Sequence, residues 1–232
     1  MKRIIMKHLL TFFACIIMHS SFAQDLNKDW GNLQRYAFAN KRLGKPASNE
    51  KRVVFMGNSI TELWNLFHSD FFTCNNYINR GISGQTTPQM LIRFRQDVVK
   101  VGASVVVLLA GINDIAENTG PITVEDIMGN IISMVQIARN AGVKPILCSV
   151  LPAYRIPWRP TIQPIEKVTA LNKLIQDYAQ KNNLPFVDYY AAMVDERKGI
   201  RKELSDDEVH PNAKGYAVME PLVLKAIQKE LK

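Results

Sequence analysis

The stretch Ser104-Val105-Val106-Val107-Leu108-Leu109-Ala110 decides the fold, because every position after the serine is apolar. A strand with one face in water alternates apolar and polar residues, whereas a strand covered on both faces is a continuous apolar run. Burial on both faces is typical of the middle of a parallel sheet. The sequence therefore predicts a central strand with helices on either side of it.

Strands and amphipathic segments alternate on both sides of this run. Further strands are predicted over residues 52–56, 76–79, 145–151 and 185–189. Helices are predicted over residues 61–67, 88–99, 124–141, 165–181 and 213–231, the last bent or divided at Pro221. This alternation is typical of a parallel α/β sheet, in which functional residues gather beyond the carboxyl ends of the strands.

The N-terminus has the pattern of a secretory signal. Three basic residues precede an apolar run over residues 9–18, and Ser21-Phe22-Ala23 forms a small-x-small cleavage site. The run is too short to span a bilayer, so no membrane span is expected. Residues 1–23 are therefore predicted to be a signal peptide, with lipidation at Cys15 as the less favoured alternative. The protein is expected to be exported to the periplasm or the cell exterior.

Residues 24–232 are predicted to form a single domain, in which residues 24–50 are an N-terminal helix and a connector. A helix is expected over residues 27–43, with a buried stripe formed by Trp30, Leu33, Tyr36, Ala37 and Phe38. Loss of Lys2, Arg3 and Lys7 with the signal lowers the net charge from +8 to +5. Without any block of Lys and Arg residues, nucleic acid is not an expected partner.

Cysteines and histidines are few after the predicted cleavage. Cys74 and Cys148 remain, and their spacing leaves open whether they pair. Together with His68 and His210 they show no zinc-ligand spacing, so no metal is expected. The oligomeric state cannot be read from these features.

Three glycine-containing segments directly follow the first three strands. Gly57-Asn58-Ser59 places a serine at the start of a helix, where backbone N–H groups favour negative charge. Gly81-Ile82-Ser83-Gly84 can bring a backbone N–H close to a reacting atom, and Asn113 in Gly111-Ile112-Asn113-Asp114 can donate its side-chain amide. Each segment alone is equally consistent with ordinary helix capping or turn formation.

The segment Asp207-Glu208-Val209-His210-Pro211 precedes the last helix. A serine hydrolase needs an imidazole to take the proton of its nucleophile and a carboxylate to orient that imidazole. Asp207 and His210 lie three residues apart, so one turn can present both. His68 has no acid at this spacing, which leaves His210 as the candidate base. Taken alone, His210 is equally consistent with a surface histidine among acids.

In this order, the four segments resemble the four blocks of the SGNH hydrolases, also called the GDSL family of esterases and lipases. The resemblance runs from about Val53 to the C-terminus. It implies a flavodoxin-like sheet of about five parallel strands in the order 2-1-3-4-5 and no cofactor. It also implies a catalytic triad made of Ser59, Asp207 and His210. The implied oxyanion hole is made of Ser59, Gly84 and Asn113.

One residue departs from the family pattern, because Asn58 stands where the family usually has Asp. An Asn side chain can still accept a backbone hydrogen bond, so we expect the turn to survive. The run Asn79-x-Gly81-x-x-Gly84-x-Thr86-Thr87 looks closest to the acetylhydrolases related to platelet-activating-factor acetylhydrolase. That subgroup is similar to many secreted bacterial carbohydrate esterases.

The resemblance implies a small-molecule or glycan ester as substrate, and a carbohydrate O-acetylesterase is the preferred interpretation. A lysophospholipase or thioesterase and a catalytically inactive glycan-binding module are the alternatives. The loop after the fourth strand should flank the same site. Its candidate substrate-binding residues, which could equally be a proline-stiffened surface, are Tyr154, Arg155, Trp158 and Arg159.

Overall fold

The computed structural model describes residues 29–232, so the predicted signal peptide and Cys15 lie outside the described residues. One sheet is formed by the strands β1 (Arg52–Gly57), β2 (Ile78–Gly81), β3 (Ala103–Leu109), β4 (Lys144–Cys148) and β5 (Phe186–Val187). Their spatial order is β2-β1-β3-β4-β5, and all neighbouring pairs are parallel. The predicted fold class and strand order are confirmed.

Helices connect the strands and cover the sheet. In chain order they are α1 (Gln34–Leu43), α2 (Ser59–Phe67), α3 (Ser69–Thr73), α4 (Thr87–Phe94), α5 (Ile112–Ile115), α6 (Val124–Asn140), α7 (Pro164–Lys181), α8 (Tyr189–Met193) and α9 (Ala213–Leu231). A π-helical turn, Arg95–Val99, extends α4, and a 3-10 turn, Lys202–Leu204, precedes the Asp207–His210 segment. The short helices α3, α5 and α8 were not predicted from the sequence.

The central strand is buried as its sequence predicts. Residues Val105 to Leu109 of β3 each expose 4% or less of their surface. The core continues into an aromatic cluster on β1, where Phe55 contacts Trp64 edge-on and Trp64 stacks on Phe71 and Tyr216. Helix α2 is thereby packed against both β1 and α9, which fixes the helix that begins at Ser59.

The N-terminal helix differs from the prediction in both its start and its buried face. It begins at Gln34, because Asn32 adopts a positive φ of 54° and the Asp29 carboxylate accepts the Gln34 N–H. The expected buried stripe is wrong, since Phe38 is 72% exposed. Polar contacts hold this helix instead, including the Tyr36 hydroxyl on the Gly81 carbonyl.

Helix α9 has the predicted bounds and runs through Pro221 without division. Met219 and Val223, on either side of the proline, are fully buried and hold the helix in place. Strands β4 and β5 are shorter than predicted. Beyond Cys148 the chain leaves the sheet, and only the Ser149 N–H still donates to the Val187 carbonyl.

A buried carboxylate joins the starts of α4 and α5. Both oxygens of Asp114 accept the Thr87 N–H, at 2.9 and 3.0 Å, and Oδ1 also accepts the Thr87 hydroxyl at 2.6 Å. Burial raises the pKa of Asp114 to about 6, although these hydrogen bonds act in the opposite direction. The contact holds the loops after β2 and β3 at a fixed separation.

The start of α2 lies directly against the end of β2. A methyl group added at Gly81 would lie 2.2 Å from the Glu62 nitrogen, which is closer than any real contact. We expect Gly81→Ala to destabilise the fold by about 1–3 kcal/mol, because the backbones must move apart. Gly129, on the exposed face of α6, has open space around it and provides the control. Gly129→Ala should stabilise by about 0.5–1 kcal/mol. Equal urea midpoints for Gly81→Ala and the parent would contradict this close approach.

The Asp114 contact should make stability depend on pH. Because the folded pKa is about 6 against an ordinary 3.8, the folded state binds this proton more tightly than the unfolded chain. The resulting stabilisation is complete below about pH 4 and is lost as the pH rises to about 6, by up to about 3 kcal/mol. Urea unfolding of Asp114→Asn should lack this component, whereas the control Asp177→Asn, an exposed residue, should retain it. The same pH slope in Asp114→Asn and the parent would contradict the assignment.

Candidate active site

The candidate nucleophile sits where a strand passes directly into a helix. Strand β1 ends at Gly57 and α2 begins at Ser59, with Asn58 as the capping residue between them. The Asn58 side-chain oxygen accepts the Ile60 N–H at 3.0 Å. Asparagine therefore supports this turn in place of the usual aspartate, as expected from the sequence. Ser59 is 8% exposed and faces a surface cleft.

Ser59, His210 and Asp207 form one continuous chain of contacts. Ser59 Oγ lies 2.8 Å from His210 Nε2, and His210 Nδ1 lies 2.6 Å from Asp207 Oδ2. In the tautomer that carries its proton on Nδ1, the Nδ1–H group donates to the carboxylate. Nε2 is then free to accept the serine proton. The structure thus brings together three side chains from opposite ends of the chain in the order that base catalysis requires.

The Asp207 carboxylate is held by the backbone of its own turn. Its Oδ1 atom accepts the N–H groups of Val209 and His210, at 2.9 and 2.7 Å, and Glu208 adopts a positive φ of 68° to close the turn. Burial raises the pKa of Asp207, but the hydrogen bonds from His210 and Val209 outweigh it and hold the pKa below its ordinary value. Asp207 is therefore ionised at neutral pH, as an orienting carboxylate must be.

Gly84 and Asn113 line the same cleft as Ser59. Gly84 has a φ of 78°, a conformation that favours glycine. The Asn113 amide is buried and donates to the Gln85 carbonyl at 3.0 Å, which leaves its second N–H to point elsewhere. Within residues 29–232, the Ser59 and Gly84 N–H groups have no hydrogen-bond acceptor. Three residues with such N–H groups thus line the same cleft.

The cleft has a volume of about 410 Å³. Of the four loop residues that the sequence suggested, Trp158 lines it. The Trp158 ring stacks on the His210 ring, with 5.9 Å between centroids, and its Nε1 donates to Asn118 Oδ1 at 3.0 Å. The residues that line the cleft are Ser59, Leu63, Ser83, Gly84, Asn113, Asn118, Trp158 and His210.

The structure does not bring the other three loop residues to this cleft. The Tyr154 ring is covered by the Arg197 guanidinium, at 5.0 Å from the ring centroid. Arg155 forms an ion pair with Glu208, and an Arg159 Nη2 atom lies 3.5 Å from the Glu117 carbonyl oxygen. These side chains make contacts within the protein surface.

Arg93 is a buried residue that sequence reasoning missed. Its guanidinium donates to the Gly57 carbonyl at 3.0 Å, to the Gln85 side chain at 2.5 Å and to Asp97 at 3.0 Å. Both Arg93 and Asp97 are at most 1% exposed. Their spacing of four residues on a helix was a visible signal, but it is equally typical of an exposed ion pair.

His68 is engaged away from the cleft. It follows the end of α2, whereas Ser59 begins that helix, so the two lie about 13 Å apart along its axis. His68 Nδ1 contacts Glu220 Oε1 at 2.6 Å, and Trp64 Nε1 donates to the same oxygen at 3.1 Å. The carboxylate that partners His68 comes from α9, which local spacing could not reveal.

The two cysteines within residues 29–232 are unpaired. Cys74 is exposed, and Cys148 is buried in β4, where burial raises its pKa to about 12. Over residues 29–232 no group of three or more His, Cys, Asp or Glu residues is placed to hold a metal ion. No helix in this part of the chain has the length and apolar character needed to cross a bilayer.

Comparisons with known proteins show which family the chain resembles. The model of the GDSL-like lipase/acylhydrolase family matches residues 55–218. A proposed acylhydrolase from Bacteroides fragilis is 50% identical, with a TM-score of 0.87 over 89% of this chain and 100% of that chain. A GDSL-like lipase from Bacteroides thetaiotaomicron is 48% identical, with a TM-score of 0.84 over 86% and 98%.

Two more distant proteins are also similar. One matches over a short part of its sequence, and the other shares the fold alone. An uncharacterized lipoprotein of Bacillus subtilis, YqeF, is 31% identical over 78 residues, and the match spans 32% of each protein. A variant of a Geobacillus acetyl-xylooligosaccharide esterase is 19% identical, with a TM-score of 0.62 over 76% of this chain and 94% of that chain, and shares the fold. From the match over residues 55–218, this chain belongs to the GDSL-like lipase and acylhydrolase family, a family of hydrolytic esterases.

Proposed function

We propose that this protein is an exported serine esterase that hydrolyses short acyl esters, with Ser59 as nucleophile, His210 as base and Asp207 as orienting acid. The observation that carries the proposal is the unbroken contact from Ser59 Oγ through the His210 ring to Asp207, at 2.8 and 2.6 Å. A serine hydroxyl becomes a useful nucleophile when an oriented imidazole can take its proton.

Acylation follows from this arrangement. His210 Nε2 takes the proton of Ser59 as Oγ attacks the ester carbonyl, and a tetrahedral intermediate forms. The Asp207 carboxylate stabilises the resulting imidazolium and keeps its ring oriented. His210 then gives the proton to the departing alcohol, and the acyl group remains bound to Ser59 Oγ as an ester.

The intermediate carries a negative oxygen that the cleft is suited to stabilise. The N–H groups of Ser59 and Gly84 and the second N–H of the Asn113 amide are the proposed donors. Such donors act strongly because they are already oriented before the reaction begins. His210 then takes a proton from a water molecule, which attacks the acyl-enzyme. As the acid leaves, His210 returns the proton to Ser59 Oγ.

The substrate is proposed to be an acetylated carbohydrate. An open cleft with Leu63 and Trp158 as its apolar side chains offers little cover to a long acyl chain and suits a short acyl group better. The 41% exposed Trp158 ring offers an apolar face to a sugar. The fold likeness to an acetyl-xylooligosaccharide esterase supports the same class. Export rests on the signal-like residues 1–23 and on the similarity to a lipoprotein.

Replacement of Ser59 tests the nucleophile. Ser59→Ala should lower kcat for p-nitrophenyl acetate by about 10⁴-fold or more, because the attacking oxygen is removed. A fluorophosphonate probe should label the parent protein and leave Ser59→Ala unlabelled. Ser133→Ala on α6 is the matched control and should be labelled like the parent. Labelling of folded Ser59→Ala at the parental rate would remove Ser59 from the mechanism, and absence of labelling in the folded parent would favour a glycan-binding module.

Acyl chain length tests the substrate class. We expect kcat/KM for p-nitrophenyl acetate to exceed that for the decanoate by about 10-fold or more, since Leu63 and Trp158 alone cover little of the longer chain in an open cleft. Acetate release from acetylated xylooligosaccharides, followed over time, should accompany this preference. A higher kcat/KM for the decanoate would instead favour the lysophospholipase or thioesterase alternative.

A further inference from the structure

Trp158 is engaged at both its ring face and its ring nitrogen, although 41% of the side chain is exposed. Its indole plane lies 30° from that of His210, with 5.9 Å between the ring centroids. Its Nε1–H donates to Asn118 Oδ1 at 3.0 Å. Two oriented contacts on one half-exposed side chain indicate that the ring has a defined position above the base.

Asn118 continues this contact to the other side of the cleft. Its side-chain Nδ2 donates to the Gly84 carbonyl at 3.2 Å, while its backbone N–H donates to the Asn113 carbonyl at 3.0 Å. Asn118 therefore touches both residues that are proposed to complete the oxyanion hole beside Ser59. Its amide presents an acceptor to the indole and a donor to the glycine, which is the arrangement that both partners need.

We propose that Trp158 and Asn118 are positioning residues that form a bridge across the cleft. The bridge holds the His210 ring and the Gly84 peptide in fixed positions relative to each other. This inference rests on the proposed function, since it assigns a role in the same reaction. The bridge runs from the His210 ring through the indole and the Asn118 amide to the Gly84 carbonyl. Neither bridging residue exchanges a proton or forms a bond with the substrate.

Both ends of the bridge need such support. Gly84 lies in the left-handed region and lacks a side chain, so its peptide groups can reorient easily unless a partner fixes them. His210 lies on a turn before α9, with 22% of its side chain exposed. A displacement of about 1 Å in a reacting group can cost about 100-fold in rate.

The loop that carries Trp158 is itself anchored. Ile156 is fully buried, and the Arg159 N–H donates to the Ile156 carbonyl at 2.9 Å, which closes a turn around the tryptophan. Pro157 and Pro160 further restrict the backbone on either side. The ring is therefore presented from a stiff support, which a positioning contact requires.

A double-mutant cycle tests the bridge. Trp158→Phe keeps an aromatic ring over His210 but removes the donor to Asn118, and Asn118→Ala removes the amide. We expect each change to lower kcat for p-nitrophenyl acetate by about 10-fold with little change in KM. The double variant should lose no more kcat than the single variant with the larger loss, because both changes break the same connection. The controls are Trp30→Phe, at an exposed tryptophan, and Asn75→Ala, at an exposed amide that caps the Phe71 carbonyl; both should retain parental kcat.

Two kinetic outcomes would overturn the proposal. Independent losses that multiply in the double variant would mean that the residues do not act through one another. A raised KM with unchanged kcat in Trp158→Phe would mean that the ring contributes to substrate binding alone and does not position His210. Urea unfolding of each variant accompanies the kinetics, and a loss of kcat must appear in protein that is as stable as the controls.

A spectroscopic measurement separates this proposal from the proposed function. The indole N–H resonance of Trp158, assigned by its absence in Trp158→Phe, should shift and exchange faster with water in Asn118→Ala. An unchanged resonance would overturn the bridge even in an active enzyme. If the parent hydrolyses no ester, the proposed function fails, while this resonance still decides whether the bridge exists.

Discussion

The buried guanidinium of Arg93 is the group on which the arrangement of the loops after the first three strands depends. It donates to the Gly57 carbonyl at the end of β1 and to the Gln85 side chain after β2, while Asp97 balances its charge. A buried charge is costly unless it is paired and fully hydrogen-bonded, so this group tolerates few alternative arrangements. Because Arg93 must keep all of these partners, it also fixes the distance between the loops that follow β1 and β2.

The third loop is tied to the second by two further contacts. The Gln85 carbonyl receives the Asn113 amide, and the Asp114 carboxylate receives Thr87. Because Arg93 binds the side chain of Gln85 and Asn113 binds its backbone, one residue links all three strand ends. Loops after parallel strands are commonly the mobile part of such a fold, yet here they form a connected set before any substrate arrives.

The features predictable from the sequence were those encoded by neighbouring residues. The apolar run of β3 predicts burial on both faces, Asn58 can cap its own helix, and Asp207 reaches His210 within one turn. Features that depend on distant partners could not be predicted. Nothing local to Phe38 indicates that its helix would pack through polar contacts, and nothing local to Asn118 indicates that it would meet a tryptophan forty residues later.

The two roles proposed for Trp158, a positioning contact and a substrate contact, are compatible in one side chain. One face of its indole is turned to His210 and its nitrogen is held by Asn118, so the position of the ring is set within the protein. Trp158 remains 41% exposed, so an apolar face of a sugar can pack on the open part of the ring without displacing either partner. A ring already held in place loses little entropy when a ligand stacks on it. The contacts proposed to orient the base would therefore also prepare the surface on which the proposed leaving group rests.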